Sequence, residues 1–358
     1  MKINELLKLM VEKDASDLFL RTNAIPRARI NGKVQIIGEH AISQNEIKAV
    51  TSFLLATEER RMLFSKNLDI DFIYADPEIG RFRVNIFSQR GTPSIVLRHV
   101  STRIKTFEEL NLPTKVCERF CEETRGLVLL CGPAGSGKST AIASMIEHIN
   151  LIGEKHIVTI EDPIEFLFED KKCLINQREL DIDVRSYASA LKHVTQQSPD
   201  IIFIGNTRDE ETMRAVISAT ELGTFVITTF HTINTVQTIA RIVNFFPPHQ
   251  QDEIRMQLSL ILKGVISLRL VPYKDGSGRI PAYETMVVTP TIARLIREGN
   301  IKEIQNFIDE GELFGMRSFK QTLVDMVKRD LVHEDDARRF ADSKDEFDLE
   351  LRGIKRFQ

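Results

Sequence analysis

The sequence predicts an α/β protein, with an α+β N-terminal domain, a larger domain built on a mainly parallel sheet, and a helical C-terminal region. Three observations carry this. Residues 1 to about 100 hold alternating strand candidates around a tight-turn signal. From about residue 114, short apolar runs alternate with helical stretches, the rhythm of βα units. One of those runs, "GLVLLC", leads into a glycine-rich loop that opens a helix.

In chain order, "MKINELLKLMVEK" places Ile3, Leu6, Leu7, Met10 and Val11 at helical spacing, with Glu5 and Glu12 among them. That pattern predicts an amphipathic first helix rather than a signal peptide, which needs an uninterrupted apolar core. "PRARINGKVQII" alternates around Asn31-Gly32, a hairpin-turn signal. "LDIDFIYA", "GRFRVNIF" and "PSIVLRHV" are further strands. In the second, Phe82, Val84 and Ile86 share one face, and Arg81 and Arg83 the other. These elements make an N-terminal domain over 1–100. "STRIKTFEELNLP", closed by Pro113, reads as a linker over 101–113. A core over 114–288 follows, with strands at "GLVLLC", "HIVTIE", "IIFIG" and "FVITTFH". After "GRIPAYETMVV" the chain is expected to be helical over 289–341, and 342–358 to be a mobile charged tail.

Composition narrows the function classes. With 358 residues, 42% hydrophobic and 28% charged, the chain has the balance of a soluble globular protein. A net charge of −3 gives no reason to expect nucleic acid as the main partner. The apolar runs fall well short of the ~18 residues of a membrane span, so the chain is not expected to cross one. Cys117 and Cys121 share a helix face, but no second close pair completes a zinc site. Buried free thiols in a reducing cytoplasm are the expectation for them, Cys131 and Cys173.

"GLVLLCGPAGSGKST" carries the chemistry. Gly132, Gly137, Lys138 and Ser139 satisfy the G-x-x-x-x-G-K-[ST] pattern of a phosphate-binding loop, and Pro133, Ala134, Gly135, Ser136 and Thr140 complete it. A chance match in a chain this long is on the order of one in a hundred by composition. The apolar strand before the loop and the helix "STAIASMIEHI" after it lower that further. Glycines let backbone N–H groups turn inward around phosphates, and the helix N-terminus adds partial positive charge. Lys138 is placed to reach the β- and γ-phosphates of ATP, and the Ser139 hydroxyl to sit on Mg2+.

In such sheets further site residues lie at the C-terminal ends of neighbouring strands. "TIEDPIEF" supplies Glu161, Asp162 and Glu165, where a carboxylate orients the attacking water or holds the water shell of the metal. A solvated acidic turn before Pro163 is the alternative. "ITTFHT" ends at His231, a γ-phosphate sensor or a structural histidine. "PDIIFIGN" ends at Asn206, where a carboxylate is wanted for the metal and a neutral amide stands instead. Arg81, Arg83 and Arg98 are candidates for clamping phosphates, or a solvated strand face.

With these residues in order, the chain resembles the secretion-ATPase superfamily, and within it the type IV pilus retraction ATPases of the PilT/PilU group. "SDLFL" and "INGKV" resemble the family's PAS-like N-terminal domain, and "GRFRVN" its arginine strand. "GPAGSGKST" resembles its Walker A loop, "TIEDPIEF" its Asp box, "PDIIFIGNTRD" its Walker B box and "TTFHT" its His box. "TPTIARLIREG" resembles its C-terminal retraction motif, and the end of the chain is more like the PilU branch. Extension-type and secretion-type relatives usually add a longer N-terminal region and a four-cysteine insertion, and neither is visible here.

The resemblance implies a PAS-like domain followed by a RecA-like P-loop ATPase domain that binds ATP and Mg2+. It implies a homo-hexameric ring, cytoplasmic and peripheral at the inner-membrane base of a pilus machine. Partners would be the pilus platform protein and, in one reading, a paralogous retraction ATPase. Carried onto this chain, Lys138 and Ser139 bind phosphate and Mg2+. Glu165, with Glu161 and Asp162 as second choices, acts on the attacking water; His231 senses the γ-phosphate; Arg81, Arg83 and Arg98 supply arginines. The chain departs from the pattern in four places. The family usually has Glu at Asn206, Arg at Gln196, Gly-His at Gly223-Thr224, and Ala-Ile-Arg-Asn at Thr291-Ile292-Ala293-Arg294. Three readings follow: an active retraction motor, a PilU-like accessory subunit with weak hydrolysis, and a nucleotide-dependent assembly module without turnover.

Overall fold

The structure, a computed structural model, describes residues 3–30, 32–100 and 103–354. The chain divides into two compact units, residues 1–102 with 165–167, and residues 103–164 with 168–358.

The first unit runs α1 (Ile3–Glu12), β1 (Asp17–Arg21), β2 (Arg27–Ile30), β3 (Lys33–Ile36), α2 (Gln44–Leu54), α3 (Glu58–Asn67), β4 (Asp69–Asp76), β5 (Gly80–Gln89) and β6 (Thr92–Val100). Its strands form one antiparallel sheet in the order β3-β2-β1-β6-β5-β4. One face is apolar. Leu18, Leu20, Phe82, Val84, Ile86, Ile95 and Leu97 pack with Leu7 and Met10 of α1 and Ile47 and Leu54 of α2. The alternation expected in "GRFRVNIF" is present, since Phe82, Val84 and Ile86 are buried and their arginine neighbours are not. At the expected hairpin, Ile30 pairs with Lys33, while Asn31 lies outside the described residues.

Two helices in this unit have no counterpart in the sequence expectations. Helix α2 starts at a capping box, in which Ser43 Oγ accepts from the Glu46 amide and the Glu46 carboxylate accepts from the Ser43 amide. Helix α3 buries none of its residues, so it lacks the apolar periodicity by which a helix is recognised.

The second unit continues with α4 (Thr114–Cys121), β7 (Gly126–Cys131), α5 (Lys138–Ile152), β8 (His156–Glu161), β9 (Leu174–Glu179), α6 (Tyr187–Val194), β10 (Ile201–Ile204), α7 (Glu210–Glu221) and β11 (Phe225–Phe230). It then adds α8 (Thr235–Asn244), α9 (Gln251–Ile261), β12 (Leu262–Pro272) and β13 (Arg279–Val287). The last helices are α10 (Pro290–Glu298), α11 (Ile304–Glu310), α12 (Phe319–Lys328), α13 (Glu334–Phe340) and α14 (Lys344–Leu351). The seven strands form one sheet in the order β13-β12-β7-β11-β10-β8-β9. It is parallel from β12 to β9, and β13 folds back antiparallel on β12. Every residue of β7, β10 and β11 is buried, as befits central strands covered on both faces.

Strands β9 and β12 were not expected. "LINQRE" is mostly polar because β9 is an edge strand, and β12 carries Lys263 and Arg269 within its apolar run. Part of the stretch read as a linker packs into the second unit, since Phe107 and Leu112 are buried in its core. The charged tail needs a larger correction. Residues 344–351 form α14, and its Phe347 is fully buried with Val271, Ile280, Phe319, Leu323 and Ala337. That large apolar side chain, with Leu351 packed on the same cluster and Asp348 held by Arg338, docks an otherwise charged helix.

Candidate functional site

The parallel register sets the site. Phe230 lies beside Cys131, and Ile204 lies between Thr228 and Ile160. The residues at the C-terminal ends of β7, β11, β10 and β8 or just beyond them therefore converge on one edge of the sheet: the loop 132–137, His231, Asn206 and Glu161.

The loop after β7 has the glycines that its path requires. Gly132 adopts φ +147°, and a Cβ there would meet Ser136 Oγ at 2.4 Å and the Leu268 carbonyl oxygen at 2.5 Å. Gly137 adopts φ +94° and forms the N-cap of α5. Pro133, Ala134 and Gly135 form the exposed crest, and Ser139 and Thr140 in the first turn of α5 are half-buried. Lys138 is buried, and its Nζ donates to the carbonyls of Gly132 at 2.7 Å and Pro133 at 2.9 Å. Nζ also lies 3.5 Å from His231 Nδ1.

His231 joins this lysine to Asn206, whose Nδ2 is placed 3.1 Å from His231 Nε2. Partial desolvation lowers the pKa of His231 below the ordinary 6.5, and the charges of Lys138, Arg208 and Arg241 lower it further. The imidazole is therefore neutral at pH 7, with a single N–H. If Nδ1 accepts from the Lys138 ammonium, Nε2 carries the hydrogen and needs an acceptor. Turning the Asn206 amide over supplies one, because its Oδ1 then faces Nε2–H. As placed, Asn206 Oδ1 is buried with no hydrogen-bond partner, and turning the amide gives that position to Nδ2 instead.

Two more orphaned oxygens border the same edge. Ser136 Oγ in the loop and Tyr187 Oη at the start of α6 are both buried without a partner. Burial raises the Tyr187 pKa, so its hydroxyl keeps the proton. Tyr187 Oη and the Glu161 backbone press against Gly205, where a Cβ would come within 3.3 Å and 3.2 Å of them. Glu161 is buried at the end of β8, and its Oε1 accepts from Thr159 Oγ1 at 2.6 Å and Gln177 Nε2 at 3.3 Å. Asp162 is exposed, with its carboxylate 3.9 Å from Arg208.

Of the residues read from the sequence, the structure brings together Lys138, His231 and Asn206, with Gly132–Gly137, Ser139 and Glu161 around them. Glu165 is exposed in the short segment that groups with the first unit. Arg81, Arg83 and Arg98 also lie in the first unit. Arg83 and Arg98 are cross-strand neighbours, and each faces a carboxylate: Arg83 with Asp71 at 3.5 Å, Arg98 with Asp17 at 2.9 Å. Asp17 is itself buried and shared with Arg29 at 3.2 Å. The four cysteines are free and buried, and burial pushes the Cys117 and Cys131 thiols up to about 12. Among the described residues there is no His/Cys/Asp/Glu cluster fit for a metal ion, and no helix long and apolar enough to cross a membrane. Sequence reasoning missed Arg208 and Tyr187. Arg208 had a signal, a cation two residues past the strand-end Asn206, whereas Tyr187 reaches the edge from a helix start with none.

The family described as "Type II/IV secretion system protein" matches residues 1–329. The chain is 36% identical over 352 residues to the type IV pilus ATPase PilU of Pseudomonas aeruginosa, covering 98% of this chain and 92% of that protein. It is 38% identical over 347 residues to the type IV pilus retractation ATPase PilT of the same organism, covering 97% of this chain and 100% of that protein. Among solved structures, the pilus retraction motor PilT with bound ADP superposes with a TM-score of 0.87 at 39% identity, covering 97% of this chain and 98% of that one.

Proposed function

The chain belongs to the type II/IV secretion system protein family, and from that premise we propose that it is an ATPase motor of type IV pilus retraction, acting as a ring hexamer of this chain. Likeness to PilT and PilU over nearly the whole length supports the assignment. The observation that carries it is the contact of Lys138 with His231, and of His231 with Asn206, at the mouth of a glycine loop.

The loop amides from Gly132 to Lys138 and the dipole of α5 hold the phosphates of ATP. Ser136 Oγ, buried without a partner, is available to a phosphate oxygen. Lys138 exchanges its two carbonyl acceptors for phosphate oxygens, and the phosphate stabilises its charge better than neutral carbonyls do. His231, held neutral beside Lys138, reports the γ-phosphate through its shared contact with that ammonium.

The residues present suit Mg2+, which prefers hard oxygen donors. Ser139 Oγ would hold it, with Asn206 Oδ1 in the orientation that points the oxygen away from His231, where it has no other partner. Mg2+ would neutralise charge on the transferred phosphoryl group. Glu165 is the proposed carboxylate for orienting the attacking water, with Glu161 as the alternative. Glu161 already accepts two hydrogen bonds, which hold its carboxyl group in place. Arg81, Arg83 and Arg98 are proposed phosphate ligands, and Arg83 and Arg98 must release Asp71 and Asp17 to serve.

One observation favours a second reading. Asn206 brings no negative charge to the metal, which slows hydrolysis while leaving nucleotide binding intact. That describes an accessory subunit that works with a paralogous retraction ATPase. In both readings the hexamer sits in the cytoplasm against the inner membrane and acts on the pilus platform protein. Steady-state ATPase of the purified chain, alone and with such a paralogue, separates them. Turnover alone in the ~1–1000 s⁻¹ range of ordinary enzymes supports the motor. Turnover that rises only with the paralogue supports the accessory role. Tight ATP binding without turnover in either mixture would leave a nucleotide-dependent assembly module.

A further inference from the structure

The loop that carries His231 is held from behind by two buried charged residues of the sheet. It spans 231–234, between β11 and α8. Arg269 of β12 is only 8% exposed, and its Nη2 donates to the Ile233 carbonyl at 2.9 Å. Glu284 of β13 is fully buried, and its Oε1 accepts from the Thr235 amide at 2.9 Å, capping the N-terminus of α8. Two positions from His231 and four positions from it, the backbone is thus pinned by a guanidinium and by a carboxyl group whose pKa burial raises. A guanidinium and a carboxyl group removed from water are costly unless their hydrogen bonds are filled, so their geometry is tightly set.

Arg269 does not stand alone. The same guanidinium donates to the Phe340 carbonyl and to the Asp342 carboxylate, and it stacks 3.8 Å over the Phe319 ring. Phe340 ends α13 and Asp342 lies between α13 and α14, in a C-terminal segment that α14 anchors through Phe347. A cavity of about 300 Å³ lies alongside, lined among others by Asn234, Glu284, Phe319, Asp342 and Ser343.

We propose that Arg269 is a positioning residue for His231, held in place by the C-terminal segment 340–342, so that the seating of this segment sets the position of the His231 loop. Arg269 touches no reacting group. It acts on the Ile233 carbonyl, and through it on the imidazole that meets Lys138. The catalytic meaning of this coupling rests on His231 serving at the γ-phosphate, but the coupling itself does not.

Hydrogen exchange on the full chain, read by mass spectrometry without nucleotide, tests it independently of turnover. Losing a charge-assisted bond to the loop in Arg269→Gln is expected to speed amide exchange over 231–238 on the order of tenfold or more. Peptides of β7 and α5 should stay unchanged. Arg269→Lys, which keeps a cationic donor, should recover part of the protection. Asp342→Asn is expected to speed the same peptide by a smaller factor, although the Asp342 side chain is 40% exposed and hydrogen-bonds Arg269 rather than the loop. If Arg269→Gln does not fold, Asp342→Asn decides. Unchanged exchange over 231–238, or acceleration spread evenly through the second unit, overturns the proposal. Where turnover is measurable, kcat should fall in Arg269→Gln while KM for ATP holds. A chain with no ATPase activity would overturn the motor assignment and leave the exchange result standing.

Discussion

Restoring a carboxylate at position 206 should raise ATP turnover. Asn206 is 6% exposed, and its amide meets His231 Nε2 at 3.1 Å, with Lys138 on the other side of the ring at 3.5 Å from Nδ1. Adding these contacts across the ring puts a charge at position 206 roughly 8 Å from the ammonium. At an effective dielectric of about 20, that pair interacts by about 2 kcal/mol. A negative charge also favours the protonated imidazole, so His231 should titrate higher than in the native chain. In the proposed site the gain for catalysis is larger than for binding, because the charge would support Mg2+ as phosphoryl charge develops. Restoring a group beside the metal is expected to raise kcat about 10–100-fold. Asn206→Asp adds the charge at nearly constant volume. Asn206→Glu adds a methylene to a packed site and carries an overpacking cost of about 1–3 kcal/mol. The assay is steady-state phosphate release on purified protein, with nucleotide affinity measured in parallel. If neither variant raises turnover while both bind ATP–Mg2+, the missing charge is not what limits this site.

Three further outcomes follow from the geometry. Gly132→Ala forces a Cβ to within 2.4 Å of Ser136 Oγ at φ +147°, which should cost about 2–5 kcal/mol and abolish nucleotide binding, read by thermal melting and a fluorescent-nucleotide titration. Phe347→Ala should destabilise the second unit by about 3–5 kcal/mol in denaturant titration, whereas a free tail would give no change. His231 gives a pH dependence whose sign is set by its lowered pKa. The folded state binds fewer protons at this site than the unfolded chain does, so its contribution is full above the ordinary 6.5 and is lost as pH falls through the lowered folded value. Melting temperature measured against pH should therefore fall less steeply on the acid side in His231→Gln than in the native chain.

The sequence was most readable where local chemistry demands particular residues. Gly132 and Gly137 announce the loop because only glycine tolerates its backbone path, and the fully apolar β7, β10 and β11 announce central parallel strands. Parallel register then brings His231 and Asn206 to Lys138, a convergence inferred from strand ends alone. Legibility failed where burial depends on distant partners. Helix α3 buries no side chain, and the edge strand β9 alternates too weakly, so neither shows a period. Helix α14 reads as a charged tail because only Phe347 signals its docking. Arg269 and Glu284 are charges inside strands, which argues against burial until their partners are known. Those partners, Ile233 and Phe340 for Arg269, lie 36 and 71 residues away, beyond any local pattern.

The most direct test of the central claim, that this chain binds and hydrolyses ATP through the loop after β7, is phosphate release and ATP binding by the native chain beside Lys138→Ala. The native chain is expected to bind ATP, with measurable turnover alone or with a paralogous retraction ATPase, and Lys138→Ala to lose both. Equal binding and equal turnover in the two proteins would contradict it.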